Sequence, residues 1–135
     1  MKNAQQTFPV IDLTTEESRS KQAVLISNLF DSWNLGTEGQ LNLLGLSITS
    51  RAMLGKYRKG NPLSSSRDMQ DRVGWLLAIH KALRQLYPRN PELRYSWISR
   101  RNRAFDNLTP LDLMKDDGLI GIAKVARYLD FQRGQ

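Results

Sequence analysis

Apolar residues in this chain recur three and four positions apart, block after block, and no segment alternates apolar and polar residues over a sustained run. That spacing lines apolar side chains along one stripe of a helix, whereas a half-buried strand needs a period of two. The blocks are separated by residues that start and stop helices, notably Asn90-Pro91 and Thr109-Pro110-x-Asp112. The chain therefore reads as all-α.

The expected elements follow from the same signals. Thr14 or Thr15 caps a first helix, with Glu16 and Glu17 in its first turn and Ala23, Ile26, Leu29, Phe30 and Trp33 as its buried stripe. It runs to Leu35, and Gly36 closes it. Thr37 caps a short second helix through Leu44, which Gly45 breaks. Ser47 starts a third, through about Lys59, with Ile48, Met53, Leu54 and Tyr57 inward. Ser65-x-x-Asp68 reads as a capping box for a long fourth helix, Arg67 to Tyr87, with Met69, Val73, Leu76, Leu77, Leu83 and Leu86 as its stripe. Asn90-Pro91 opens a fifth helix carrying Leu93, Trp97 and Ile98. Thr109 caps a one-turn helix, and Asp117-Gly118 opens the last one, with Leu119, Ile122, Val125, Ala126 and Leu129 inward. The expected organisation is a partly ordered leader at 1–17, a helix-turn-helix region at 18–66, and a long connecting helix with a small helical domain at 67–135.

Charge narrows the partner. The chain carries a net charge of +7. The excess lies in the first two thirds, because residues 105–135 hold four bases and five acids. A basic body suits a polyanion, most often nucleic acid. Residues 37–59 have the layout that delivers a helix to the major groove: helix, glycine turn, helix. Ser47, Thr49, Ser50 and Arg51 lie at the start of the second helix, and Lys56, Arg58 and Lys59 follow, with no acid from 47 to 60. Such residues suit base edges and phosphates. In the usual pattern the sixth residue after the turn glycine is apolar, and here it is Arg51. A plain bundle whose basic helix faces water would carry the same residues. Arg94, Arg100, Arg101 and Arg103 form a second basic group around Trp97. Trp97 is spaced from Leu93 as a core residue, so these arginines suit a protein's acidic cleft as well as a nucleic acid.

Enzyme chemistry finds little to work with. There is no cysteine and one histidine, His80, which sits mid-helix and reads as structural. No metal site, cofactor site, phosphate loop or nucleophile motif is expected. Asp116 and Asp117 read as helix-start acids beside Gly118. No apolar run approaches the roughly 20 residues of a membrane span, and residues 1–20 lack a signal peptide.

Two sets of residues resemble a known family. Leu43-Leu44-Gly45-Leu46-Ser47, Tyr57-Arg58-Lys59-Gly60, Asp71-Arg72-Val73 and Ile79-His80-Lys81-Ala82-Leu83 resemble the Xre-like half of the Xre/MbcA/ParS antitoxins. Trp97-Ile98, Asn102-Arg103-Ala104-Phe105, Leu108 to Met114, Asp117-Gly118, Val125, Leu129 and Arg133-Gly134 resemble that family's toxin-binding half. The likeness covers about residues 20–135. It implies an all-helical antitoxin that dimerises in a bacterial cytoplasm. It also implies that the antitoxin blocks the active site of a toxin with a RES or related ADP-ribosyltransferase-like fold, which uses NAD, and represses its own operon. The chain departs from the family where Arg101-Asn102 replaces Pro-Asn, and where Asp106-Asn107 replaces a glycine before Thr109.

Helix caps and core account for most of that second half. Toxin recognition is left to the turn, through Arg100, Arg101, Asn102, Arg103, Phe105 and Asn107, and to the tail, through Arg133, Gly134 and Gln135. Surplus apolar face on the first and fourth helices suits a two-fold dimer on a palindromic operator. The competing reading is a stand-alone helix-turn-helix regulator with a helical dimerisation domain.

Overall fold

Thr15 starts the first helix: its hydroxyl accepts from Ser18 N at 3.1 Å. The structure, a computed structural model, describes residues 15–134. Thr14, Gln135 and most of the expected leader lie outside the described residues. The fold is all-α, as expected. Among the described residues the β structure is one antiparallel bridge, Asn102 to Leu108.

The helices are α1 (Glu16–Ser32), α2 (Thr37–Leu44), α3 (Arg51–Arg58), α4 (Arg67–Leu86), α5 (Pro91–Ser96) and α6 (Pro110–Arg133). Single 3-10 turns lie at Ile48–Ser50, Trp97–Ser99 and Arg103–Phe105. The central pair is α4 and α6; α1 packs on α3 and α4, and α2 packs on α3, α4 and α6. One contiguous core joins Ile26 and Phe30 of α1, Leu43 and Leu44 of α2, Leu76, Ile79 and Leu83 of α4, and Ile122 and Leu129 of α6. Burying each such side chain contributes about 1.5–3 kcal/mol.

Several boundaries differ from those read in the sequence. Asn34, not Gly36, ends α1: it takes φ 58, and Leu35 N donates back to Phe30 O at 3.0 Å. Asparagine tolerates that left-handed position, and the bond draws Leu35 against the core. Gly36 is then extended and precedes α2, so Thr37 is its first residue rather than its cap. The third helix begins at Arg51, and the preceding 3-10 turn leaves Ile48 54% exposed rather than buried. Ser66, one residue later than expected, caps α4 by accepting from Met69 N at 3.2 Å. The stripe of α4 buries Ile79 and Ala82 fully, while Leu77 and Leu86 are only partly covered.

Two tethers hold the joints. The carbonyl and side chain of Arg19 frame the link before α4: Leu63 N donates to Arg19 O at 3.3 Å, and Arg19 Nε donates to Leu63 O at 2.8 Å. Leu63 is thereby sunk into the core. The segment from Pro110 is longer than the expected single turn and breaks at Gly118, whose φ of 61° and ψ of −139° belong to glycine. After the break the two helical pieces meet so closely that a Cβ on Gly121 would lie 2.3 Å from Leu113 O.

Candidate functional site

The α2–α3 corner is built by Gly45. Its φ of 72° ends α2 in the left-handed region, and Leu46 N closes the turn on Leu41 O at 2.8 Å. Ser47 and Thr49 bond to each other through their hydroxyls at 2.6 Å. Arg51 and Lys56 are exposed on α3, as are Thr49 before it and Lys59 just after it, and Ser50 is half-buried. Arg58 is placed differently: it grips Asp31 of α1 with both guanidinium nitrogens, at 2.5 and 3.1 Å. Its charge is spent holding α3 to α1.

Arg72 was not singled out as a site residue, yet it organises this corner. Its Nε binds Asp68 at 2.9 Å, and its Nη1 donates to Leu43 O at 3.3 Å and Asn42 O at 3.4 Å. A cation there meets the carbonyls that end α2, where the helix dipole favours it. Asn42 in turn donates to Lys115 O at 3.4 Å. The corner is thus tied to α4 and to the first piece of α6.

The second candidate region is the turn between the Trp97–Ser99 segment and α6. Trp97 and Ile98 are buried and anchor its start. Asn102 caps the 3-10 turn, accepting from Ala104 N at 2.9 Å. It also closes the loop, with its N donating to Leu108 O at 3.0 Å. Asp106 and Asn107 both take positive φ, 57° and 64°. Both lie where the sequence departs from the family pattern, and small amide and carboxylate side chains meet the left-handed demand locally. Arg101 donates to Asn107 O at 3.3 Å across the neck, and Arg100 donates to Ser96 Oγ at 3.0 Å. Arg103 is exposed. Arg94 belongs to the end of α4, donating to Tyr87 O and Pro88 O at 3.2 and 2.9 Å.

Phe105 is a core residue rather than a surface reader. Its ring meets Tyr128 edge-on at 5.1 Å, and Tyr128 stacks on Trp97 at 6.3 Å. This aromatic stack welds the turn to α6. It leaves a groove of about 410 Å³ between them, bordered by Leu108, Leu113, Tyr128, Phe131 and Lys124. Sequence reasoning took in Leu108 and Leu113 only as part of the family resemblance and assigned none of these five to recognition. The available signal was apolar Leu108 and Phe131 at positions off the helical stripe. Arg133 does not join the turn. It reaches the other way, to Gln85 of α4 and Asp130 of its own helix. Gly134 closes α6, and Gln135 lies outside the described residues.

A third feature is a groove of about 550 Å³ between α1, α4 and α5, floored by Leu25, Leu29 and Leu77 and edged by Lys81 and Arg84. His80 lies in it, stacked on Tyr95 at 6.1 Å. Burial pushes the His80 pKa below its ordinary value, and the nearby charges of Arg84 and Arg94 push the same way. Among the described residues no group of His, Asp and Glu is arranged to hold a metal ion. No described helix is long and apolar enough to cross a membrane.

Comparison with known proteins gives this geometry a context. Residues 82–134 match the family described as the antitoxin Xre/MbcA/ParS C-terminal toxin-binding domain. The chain is also 37% identical over 105 residues to the uncharacterized protein y4oB of Sinorhizobium fredii, an alignment covering 77% of this chain and 78% of that one. No solved structure matches the chain. The matched segment takes in the end of α4, the 102–108 turn and α6, and the chain belongs to the Xre/MbcA/ParS antitoxin family.

Proposed function

We propose that this antitoxin neutralises a cognate RES or related ADP-ribosyltransferase-like toxin by covering its NAD-using active site. The match of residues 82–134 to a toxin-binding domain carries the reading. Occlusion asks for a rigid docking body, and the Trp97–Tyr128–Phe105 stack supplies one. The chain contributes no chemistry of its own in this account. It acts in a bacterial cytoplasm, as a homodimer.

The same reading gives residues 18–66 operator DNA and autorepression. Support comes from the Gly45 corner and the exposed Arg51, Lys56 and Lys59. Ser47, Thr49 and Ser50 would meet the DNA from the segment before α3. Arg58 is held by Asp31 and contributes to phosphate binding least. In the toxin-binding half, exposed Arg100, Arg101 and Arg103 would rim the contact, with Asn102, Phe105 and Asn107 fixing the turn that presents them. Arg133, Gly134 and Gln135 would lie at its edge.

The basic corner also favours a second reading, a stand-alone DNA-binding regulator. Co-expression separates the two. The full chain, expressed with the product of an adjacent toxin-like reading frame, restores growth if it is an antitoxin and leaves the cells dying if it is only a regulator. Deleting residues 118–135 is a poor test, because it strips Ile122, Val125, Ala126 and Leu129 from the core.

A further inference from the structure

We infer that the toxin docks on the groove between the 102–108 turn and the second piece of α6, placing an apolar side chain between Leu108 and Phe131 and a carboxylate against Lys124. The inference rests on the antitoxin reading and names the surface that does the binding.

Three observations converge on this groove. Its lining residues fall between 104 and 131, wholly inside the segment matched to the toxin-binding domain. The large apolar side chains left exposed in that segment are Leu108, Ile120 and Phe131, at 44, 76 and 65%. Leu108 and Phe131 flank the same concavity, and Ile120 does not border it. An apolar pair framing a pocket is the arrangement that seats an anchor side chain at a protein interface. The floor is held by Phe105 and Tyr128 in ring contact, so it is formed before the partner arrives.

Charge supplies the partner's chemistry. Arg127, on the same wall, is stacked over the Trp75 ring at 5.8 Å. Lys124 makes no ion pair among the described residues. With Arg127 it outweighs the one acid that lines the groove, Asp106, so the rim keeps a net positive edge for a partner's acid. The neighbouring turn adds exposed Arg101 and Arg103. The fitting surface is an apolar projection flanked by carboxylates. The α1–α4 groove is larger, but its apolar floor includes Leu25 and Leu29, which lie outside the matched segment.

The test uses the full chain and the purified product of the adjacent toxin-like reading frame. Binding is followed by titration calorimetry, with thermal melts confirming that each variant is folded. Leu108→Asp and Phe131→Asp should each weaken binding about tenfold or more, as loss of an interface anchor does. Lys124→Glu should weaken it too, with a loss that shrinks at high salt. Ile120→Asp and Leu25→Asp should bind as the parent does. Where an aspartate variant fails to melt cooperatively, Phe131→Ser and Lys124→Glu decide. Unchanged binding by the groove variants, or an equal loss with Leu25→Asp, overturns the inference while leaving the antitoxin reading intact. Groove variants that lose self-association in light scattering but keep toxin binding assign the face to a second copy, and overturn it as well. A parent chain that does not bind this product sinks both.

Discussion

Arg72 of α4 donates to Leu43 O at 3.3 Å, so one guanidinium holds the end of α2 against α4. Its side chain is 15% exposed and also binds Asp68. The position is crowded: a Cβ on Gly45 would lie 2.6 Å from Arg72 Nε. Replacing Arg72 by alanine leaves the terminal carbonyls of α2 without this donor and opens a gap beside Gly45. Arg72→Ala should cost about 1–3 kcal/mol in urea denaturation. Arg72→Lys should recover only part of it, since a lysine cannot bridge Asp68 and two carbonyls with a planar fork.

The break in α6 makes a second, graded prediction. Gly118 sits at φ 61°, ψ −139°, a conformation that costs a side-chain-bearing residue about 1–3 kcal/mol. Gly121 keeps ordinary helical geometry, but an added methyl would meet Leu113 O at 2.3 Å. Backbone cannot step aside as a flexible side chain can. Gly121→Ala should therefore be the more damaging, at about 3 kcal/mol, and Gly118→Ala the milder. Chemical denaturation of both variants ranks them; the reverse order would show that the two helical pieces adjust freely.

Those glycines illustrate what could be read in advance. Gly118 was legible because Asp117-Gly118 interrupts two apolar stripes. Gly121 was not, because close approach between residues eight apart leaves no local signal. Caps that bond within three residues, such as Asn90 to Leu93 and Thr109 to Asp112, were read correctly. The end of α1 was missed because Asn34 met the left-handed position before Gly36 could. The turn at 100–107 was located, but which of its residues face outward was not legible. Phe105 turned inward onto Tyr128, a partner more than twenty residues away, and Leu108 took the exposed place. Arg133, read as part of the recognition tail, bonds to Gln85 of α4, a partner far away in the chain that leaves no local signal.

His80 makes stability depend on pH. Its folded pKa lies below the ordinary 6.5 through burial and the charges of Arg84 and Arg94. The unfolded chain therefore binds the proton more readily. The contribution is fully present above about pH 6.5, where both states are neutral, and is lost as pH falls from there through the folded value. His80→Gln should flatten this part of the stability profile, measured as the urea midpoint from pH 7.5 down to 5. A profile unchanged by the substitution would contradict the assignment.

DNA binding and neutralisation should separate by mutation. Arg51→Ala with Lys56→Ala removes two exposed cations of α3 without touching the core. Operator affinity should fall, and the slope of log affinity against log salt should shrink by about 2, roughly 0.9 per lost phosphate contact. Rescue from the toxin should stay at the parent level. Loss of rescue together with DNA binding would favour a single regulatory function.

The most direct measurement is NAD turnover by the purified toxin as the full-length chain is added. Occlusion of the active site predicts that turnover falls to background as the complex saturates, in proportion to the fraction bound. A saturated complex that still consumes NAD would contradict it.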